Sequence, residues 1–167
     1  MKNWLILLCI LPFAAKAQEC TLKSTTDPFT HETKLSTGFA PYNRGSLSLS
    51  VSIDATPSII DFFFWFTGGS YCFDDQSYAE VIFEGEKSKM RLKNTGSMNC
   101  QGAFHLSFKN LANTGYQLKK LSTKKVSSIN IVGTGKKATF IAFTEEQQES
   151  FLQAAACVEK ESKGLLK

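Results

Sequence analysis

Hydrophobic and polar residues alternate without interruption in the segment SLSLSVSID, residues 46–54. Leu47, Leu49, Val51 and Ile53 fall on one side of an extended chain, and the serines fall on the other. A period of two residues is the pattern of a β-strand with one buried and one solvent-facing side. The segment therefore predicts a strand at the surface of a hydrophobic core.

The next segment, IIDFFFWFT (residues 59–67), is apolar on both sides. Ile60, Phe62, Phe64 and Phe66 share one face, whereas Phe63 and Trp65 share the other with Ile59, Asp61 and Thr67. A strand that is apolar on both faces is normally central and covered on both sides. We therefore expect Phe62, Phe64 and Phe66 in a core formed with strands 47–53 and 104–108, and Phe63 and Trp65 beneath the C-terminal helix described below.

The competing hypothesis leaves the second face in water. In that case Phe63, Trp65 and Tyr71 form an exposed aromatic platform, the kind of surface that stacks on sugar rings in carbohydrate-binding modules.

Residues 78–84 and 86–94 form a predicted hairpin around Gly85. A two-residue type II′ loop at Gly85–Glu86 gives a register in which paired residue numbers sum to 171. Glu80 then faces Arg91 on a charged outer side, and residues 79, 81 and 83 face the core. The lysines and arginine of residues 87–93 are thereby partly neutralised, so a solubilising face is favoured over a polyanion-binding ridge.

The remaining pattern predicts a short edge strand at residues 33–37, a strand at 104–108, and a hairpin that joins 126–132 to 137–143. Thr144 and Gln147 then form a capping box, which starts a helix that runs to about Glu161 and leaves residues 162–167 frayed. Residues 18–167 are therefore predicted to form a single β-rich domain. Its fold class is an antiparallel β-sandwich of about eight strands with a C-terminal α-helix packed on one sheet.

The N-terminus predicts export. Lys2 precedes an apolar run at residues 4–13, and Ala15-Lys16-Ala17 matches a signal-peptidase site, so residues 1–17 are predicted to be a signal peptide that is cleaved near Ala17. The run is shorter than the roughly 20 residues of a transmembrane helix, and no transmembrane segment is predicted. Cleavage leaves 17 basic and 15 acidic residues, a balance that argues against a nucleic-acid partner.

Four cysteines remain in the exported chain: Cys20, Cys72, Cys100 and Cys157. They predict two disulfides, for which three connectivities are possible. The hairpin register places residue 72 opposite residue 99, which favours a Cys72–Cys100 bridge and leaves Cys20 to pair with Cys157.

Candidate catalytic chemistry is sparse. His31 occupies a polar loop, His105 a solvent-facing strand position, and Asp74 a loop after Cys72; none lies next to a nucleophile in the sequence. We predict no catalytic residue, no metal site and no cofactor. The alternative is a periplasmic enzyme whose site assembles His31, Asp74 and His105.

The order of these features resembles a group of small uncharacterised exported four-cysteine proteins of Bacteroidetes-type bacteria. The resemblance covers most of the mature chain; its residues are Cys20, the segment 26–30, Cys72, Ser77, Ile82, Phe83, Gly85, Asn99, Cys100, Gly102, Val126, Ile129, Ala156 and Cys157. It implies an exported location and a frame of four cysteines, but no activity.

Together these observations predict an exported, non-enzymatic binding or structural module of the cell envelope, periplasmic or secreted, with a protein or glycan partner. The enzyme with a site at His31, Asp74 and His105, and the carbohydrate-binding module that uses Phe63 and Trp65, are the alternatives.

Overall fold

Two antiparallel sheets enclose the hydrophobic core in a computed structural model that describes residues 20–43 and 45–166. The predicted signal peptide and its cleavage site lie outside the described residues. The described residues contain ten strands and two α-helices. The strands are β1 (Lys23–Thr26), β2 (Thr33–Ser36), β3 (Ala40–Pro41), β4 (Ser48–Ala55), β5 (Ile59–Thr67), β6 (Tyr78–Phe83), β7 (Lys89–Lys93), β8 (Ala103–Lys109), β9 (Val126–Val132) and β10 (Ala138–Ala142); the helices are α1 (Tyr116–Thr123) and α2 (Glu145–Glu161).

The larger sheet has the order β1-β2-β4-β5-β8, and β3 also pairs with β4. The smaller sheet has the order β10-β9-β6-β7. The predicted class, a mainly β antiparallel sandwich with a C-terminal helix, is confirmed. The strand at residues 33–37 is not at an edge as expected, because β1 pairs along its outer side.

The aromatic strand β5 is central in its sheet, between β4 and β8. Ile60, Phe62, Phe64 and Phe66 are buried, and they face the smaller sheet within one core cluster. The expected covering by strands 47–53 and 104–108 is wrong. Those segments are hydrogen-bonded neighbours of β5 in the same sheet, and the covering layer is the smaller sheet, with buried Val81, Ile129, Ile131 and Ile141.

Helix α2 begins at the predicted capping box: the Thr144 hydroxyl accepts from the Gln147 backbone N–H, and the Gln147 side chain accepts from the Thr144 N–H. The helix contacts β4 of one sheet and β9 of the other, so it closes one side of the sandwich. Phe151 of α2 packs against Phe62, with ring centroids 5.8 Å apart. The expectation that Phe63 and Trp65 lie beneath the helix is therefore wrong, because α2 packs on the Phe62 side of β5.

The hairpin of β6 and β7 has the predicted register: Tyr78 pairs with Lys93, Glu80 with Arg91 and Ile82 with Lys89. The turn differs from the prediction. The Glu86 N–H donates to the Phe83 carbonyl, so Glu84 and Gly85 are its central residues. Gly85 has a φ of +73°, which a glycine adopts at little cost.

Three helical segments were not predicted. One is a short 3₁₀ turn at Thr134–Lys136, in the loop of the β9–β10 hairpin. Residues 116–123 form α1, which packs on α2. Residues Ser162–Leu165 form a 3₁₀ turn rather than a frayed end, and buried Ser162 accepts a hydrogen bond through its carbonyl from Asn110 Nδ2 at 2.9 Å.

Both disulfides join the pairs that the sequence favours, Cys72 with Cys100 and Cys20 with Cys157. The first lies at the end of the hairpin, where Phe73 and Asn99 form an isolated β-bridge. The second fastens the chain before β1 to helix α2. No helix in the described part of the chain has the length and apolar character to cross a membrane.

Candidate ligand-binding site

Four ring side chains form a cluster on the outer side of the larger sheet. We call this cluster, Phe39, Phe63, Trp65 and His105, the aromatic face. Trp65 is 44% exposed and Phe39 is 51% exposed. The ring of Phe39 lies 5.5 Å from that of Phe63 and 5.7 Å from that of Trp65, measured between centroids. The Phe63 and Trp65 rings are 6.4 Å apart and nearly parallel, with an angle of 11° between their planes.

Phe39 lies between β2 and β3, which both pair with β4 and are separated by a bend in the chain. Gly38, with a φ of +69°, bends the backbone there. The Thr37 hydroxyl accepts from the Ile53 N–H at 2.9 Å and anchors the bend to β4. Ala40 then pairs with Val51, so Phe39 arrives beside Ser52. Ser52, which is small and buried, pairs with Phe63 of β5, and the Phe39 ring contacts Phe63 from the β3 side of β4.

A polar network borders the rings. Asp61 lies on the same face of β5, two residues before Phe63. One of its carboxylate oxygens contacts His105 Nδ1 at 2.8 Å, and the other accepts from the Ser107 hydroxyl at 2.7 Å. The Ser107 hydroxyl is also 2.9 Å from that of Thr95. Asp61 and Ser107 face each other across β5 and β8, so the register of these two strands assembles the network.

His105 is held on several sides. Its ring is stacked on Phe63, with centroids 4.5 Å apart and planes within 6°. Gly96 lies against the ring edge, where an added Cβ would stand 2.7 Å from His105 Cδ2. A carboxylate only accepts hydrogen bonds, so in the neutral ring Nδ1 carries the hydrogen for Asp61, and Nε2 is the acceptor. The side chain is half-buried, and it presents a fixed polar group beside an apolar surface.

Charge is balanced at the other end of this face. Asp54 pairs with Asp61 across β4 and β5. Lys34 of β2 lies 2.8 Å from the Asp54 carboxylate and offsets its charge. The surface therefore combines exposed rings with hydroxyl, imidazole and carboxylate groups.

Phe63 and Trp65, two of the three predicted ligand-binding residues, lie together in the aromatic face. Tyr71 does not join them. Its ring packs on Phe66, 5.0 Å away on the inner side of β5, and the Lys137 ammonium lies 5.7 Å from its centroid. Tyr71 instead lines a separate cavity near the Cys72–Cys100 bridge.

The three residues of the enzyme alternative are not assembled. His31 is exposed in the β1–β2 turn, at the edge of the larger sheet opposite β8. The Asp74 carboxylate accepts from the Ser77 hydroxyl at 2.8 Å and from the Thr134 hydroxyl at 3.1 Å. The bond from Ser77, with a smaller effect from Thr134, lowers the pKa of Asp74. His105 has Asp61 as its carboxylate partner instead.

No group of three or more histidine, cysteine or acidic side chains is arranged to hold a metal ion within residues 20–43 and 45–166. Asp74 caps its own loop, with the Gln76 and Ser77 N–H groups as further donors. Oδ1 of Asp74 accepts all three bonds from Gln76 and Ser77, and Oδ2 accepts the bond from Thr134.

Sequence reasoning missed Phe39 and the Asp61–His105–Ser107 network. An isolated phenylalanine in a polar, turn-rich segment does not reveal its partners. One signal was present in the aromatic strand itself. Asp61 shares a face with Phe63 and Trp65, and a lone carboxylate is costly to bury, which already argues that this face meets water.

Comparisons with known proteins give no identification: no protein-family model, no curated protein and no solved structure matches this chain.

Proposed function

We propose that this protein is an exported, non-enzymatic binding module whose aromatic face stacks on the sugar rings of a cell-envelope glycan. The observation that carries the proposal is the exposure of Trp65 and Phe39 beside Phe63, on a face of β5 whose opposite side, with Phe62, Phe64 and Phe66, is buried. Burying an aromatic side chain stabilises a protein by about 2–3 kcal/mol, a gain that the protein forgoes at each of these exposed positions. Contiguous exposed apolar patches bordered by polar groups mark interaction sites.

The polar border favours a glycan. A sugar ring presents C–H groups on its faces and hydroxyls around its rim. Stacked C–H groups suit the electron-rich faces of Phe63 and Trp65. Rim hydroxyls suit neighbouring acceptors, which the Asp61 carboxylate and Nε2 of His105 supply beside the rings.

A non-enzymatic role agrees with the chemistry of this border. The Ser107 hydroxyl donates to Asp61, and the Thr95 hydroxyl is bonded to Ser107 and to the His105 carbonyl. Through these bonds the two hydroxyls hold Asp61 and His105 in place. A catalytic serine or threonine would instead donate its hydrogen to Nε2 of the histidine. Export rests on the signal-peptide pattern of residues 1–17 and suits a domain with two disulfides.

The test is a glycan array probed with tagged residues 18–167, followed by calorimetric titration of the best glycan, a readout that does not depend on Trp65. Trp65→Ala and Phe63→Ala are expected to weaken binding at least tenfold. Phe140→Ala is the matched control, because Phe140 is 63% exposed on the smaller sheet and lies outside the aromatic face.

Equal binding by Trp65→Ala and the parent protein would contradict the proposal, as would an array without any bound glycan. Capture of an envelope protein that depends on Trp65 would assign the same surface to a protein partner instead.

A further inference from the structure

Strand β7 is an edge of the smaller sheet, and on its outer side the backbone groups pair with no other strand of the described residues. Hydrogen-bonded and non-bonded pairs alternate along an antiparallel ladder. The Asn94 N–H donates to the Ser77 carbonyl, which places Leu92 and Met90 in the bonded positions toward β6. Lys89, Arg91 and Lys93 therefore direct their N–H and C=O groups away from the sheet.

A cavity of about 300 Å³ lies beside this edge, between β7 and β8. Leu92, Leu106 and Phe108 contribute apolar surface to it, and Arg91, Lys93 and Gln117 contribute polar groups. The cavity therefore offers room for apolar side chains directly next to the unpaired backbone of β7.

The β8 side of this cavity is not available for pairing with an added strand. Residues 94–96 run along the edge of β8 and use its backbone groups. The His105 N–H donates to Asn94 Oδ1 at 3.0 Å, the Thr95 N–H to the His105 carbonyl at 3.0 Å, and the Ser107 N–H to the Thr95 hydroxyl at 2.9 Å. An added strand in this groove pairs with β7 alone.

The charge of β7 determines the charge of a strand that can pair with it. Glu80 of β6 binds both Lys89 and Arg91, at 3.1 and 3.0 Å. Lys93 forms no salt bridge with any described residue, so the strand keeps two positive charges in excess. Lysines on an edge repel other basic strands, and the same charges attract an acidic one.

From this combination we propose that the β7 edge binds an extended, acidic segment of a partner protein by strand addition. Alternate residues of the segment face the two sides of the sheet. Acidic residues pair with Lys89, Arg91 and Lys93, and the apolar residues between them enter the cavity lined by Leu92, Leu106 and Phe108. This mode of recognition is β-augmentation, and it is independent of the aromatic face.

The probe is a ten-residue peptide of alternating glutamate and valine, added to ¹⁵N-labelled residues 18–167. Binding is expected to slow hydrogen exchange of the Arg91 and Lys93 amides and to weaken as salt is added. A peptide of alternating lysine and valine is expected to bind at least tenfold more weakly. Equal binding of the two peptides, or unchanged exchange at both amides, would overturn the proposal.

Two substitutions of Arg91 distinguish the contribution of its backbone N–H to binding from the contribution of its charge. Arg91→Pro removes an N–H that takes no part in the β6 ladder, a place where edge strands tolerate proline. Arg91→Gln removes the same charge and keeps that N–H. The proline variant is expected to lose at least tenfold more affinity than the glutamine variant; equal losses would reduce the site to a basic patch without strand pairing.

A charge exchange tests the proposal without a proline. Lys93→Glu is expected to weaken the glutamate–valine peptide and to strengthen the lysine–valine peptide. Lys87→Glu, which makes the same charge change in the loop before β7, is expected to alter both affinities less. Equal effects at residues 87 and 93 would show that the edge does not define the binding register.

Discussion

The imidazole of His105 lies flat on the phenyl ring of Phe63, with centroids 4.5 Å apart and planes within 6°. The two residues pair directly across β5 and β8. Asp61 fixes the orientation of the imidazole through Nδ1, so the geometry of the proposed binding site is set without a ligand. Preorganised rings and polar groups reduce the entropy lost on binding.

The exposure of Trp65 is open to a direct optical test. Trp4 and Trp65 are the two tryptophans of the chain, so Trp65 is the sole fluorophore of its type in residues 18–167. Because the indole is 44% exposed, we expect acrylamide to quench the native protein at more than half the efficiency observed after unfolding in urea. Resistance to quenching in the native state would contradict the exposed aromatic face.

Adjacent aromatic residues of β5 are expected to differ strongly in their effect on stability. Phe64 is fully buried, and Phe64→Ala is expected to lower the free energy of unfolding by about 3–5 kcal/mol through lost contacts and a cavity. Trp65→Ala is expected to cost less than half as much. Urea unfolding measures both, with Phe64→Leu as a milder core variant; equal costs would mean that Trp65 is covered.

The tautomer of His105 is expected to depend on Asp61. With the carboxylate present, the neutral ring holds its hydrogen on Nδ1. In Asp61→Asn, the amide oxygen accepts from Ser107 and the NH₂ group faces the imidazole, so the hydrogen is expected to move to Nε2. Ring ¹⁵N shifts at pH 9 report the change. His31, exposed in a turn, is the internal control.

Stability at low pH is expected to depend on Glu86. Lys120 and Lys124 of the α1 region each lie 2.6 Å from its carboxylate, and their hydrogen bonds lower its pKa from 4.5 to about 2. A lowered pKa stabilises the folded state above the unfolded-state value, and this contribution is lost as the pH falls through the folded-state value.

The difference in unfolding free energy between the parent protein and Glu86→Gln is therefore expected to be constant above pH 5 and to shrink between pH 4.5 and 2. Glu84→Gln is the control, because Glu84 is exposed and forms no salt bridge with any described residue. A pH-independent difference for Glu86→Gln would show that the two lysines do not hold its charge.

The two disulfides are expected to contribute unequally. Cys72 and Cys100 are 28 residues apart, and Cys20 and Cys157 are 137 residues apart. In the chain-entropy model these loops are worth roughly 3.5 and 5 kcal/mol. Paired serine substitutions, compared by urea unfolding, are expected to follow that order. A larger loss for the Cys72–Cys100 pair would indicate that local packing at the hairpin end dominates.

Much of the fold follows from local patterns. Period-two alternation places β4, and a run of apolar residues places β5. The numbering around Gly85 gives the register of β6 with β7, although the turn itself differs by one residue. The capping box at Thr144 starts α2 at the expected residue. These features were predictable because each depends on residues only a few positions apart.

The candidate site depends on distant residues. His105 and Asp61 are 44 positions apart, and they meet because β8 pairs with β5 in one register. Phe39 reaches the rings of Phe63 and Trp65 through a bend at Gly38. Neither contact produces a periodic pattern of residues in the sequence.

By itself, the sequence determined that Phe63 and Trp65 share one side of an aromatic strand, because successive side chains of an extended backbone alternate. Only the tertiary structure decided that this side faces water. The apolar stripe of α2 could pack on any hydrophobic surface of suitable width. In the structure α2 packs against β4 and β9, on the Phe62 side of β5. No described residue of α2 therefore contacts the rings of Phe63 and Trp65, and Trp65 stays exposed.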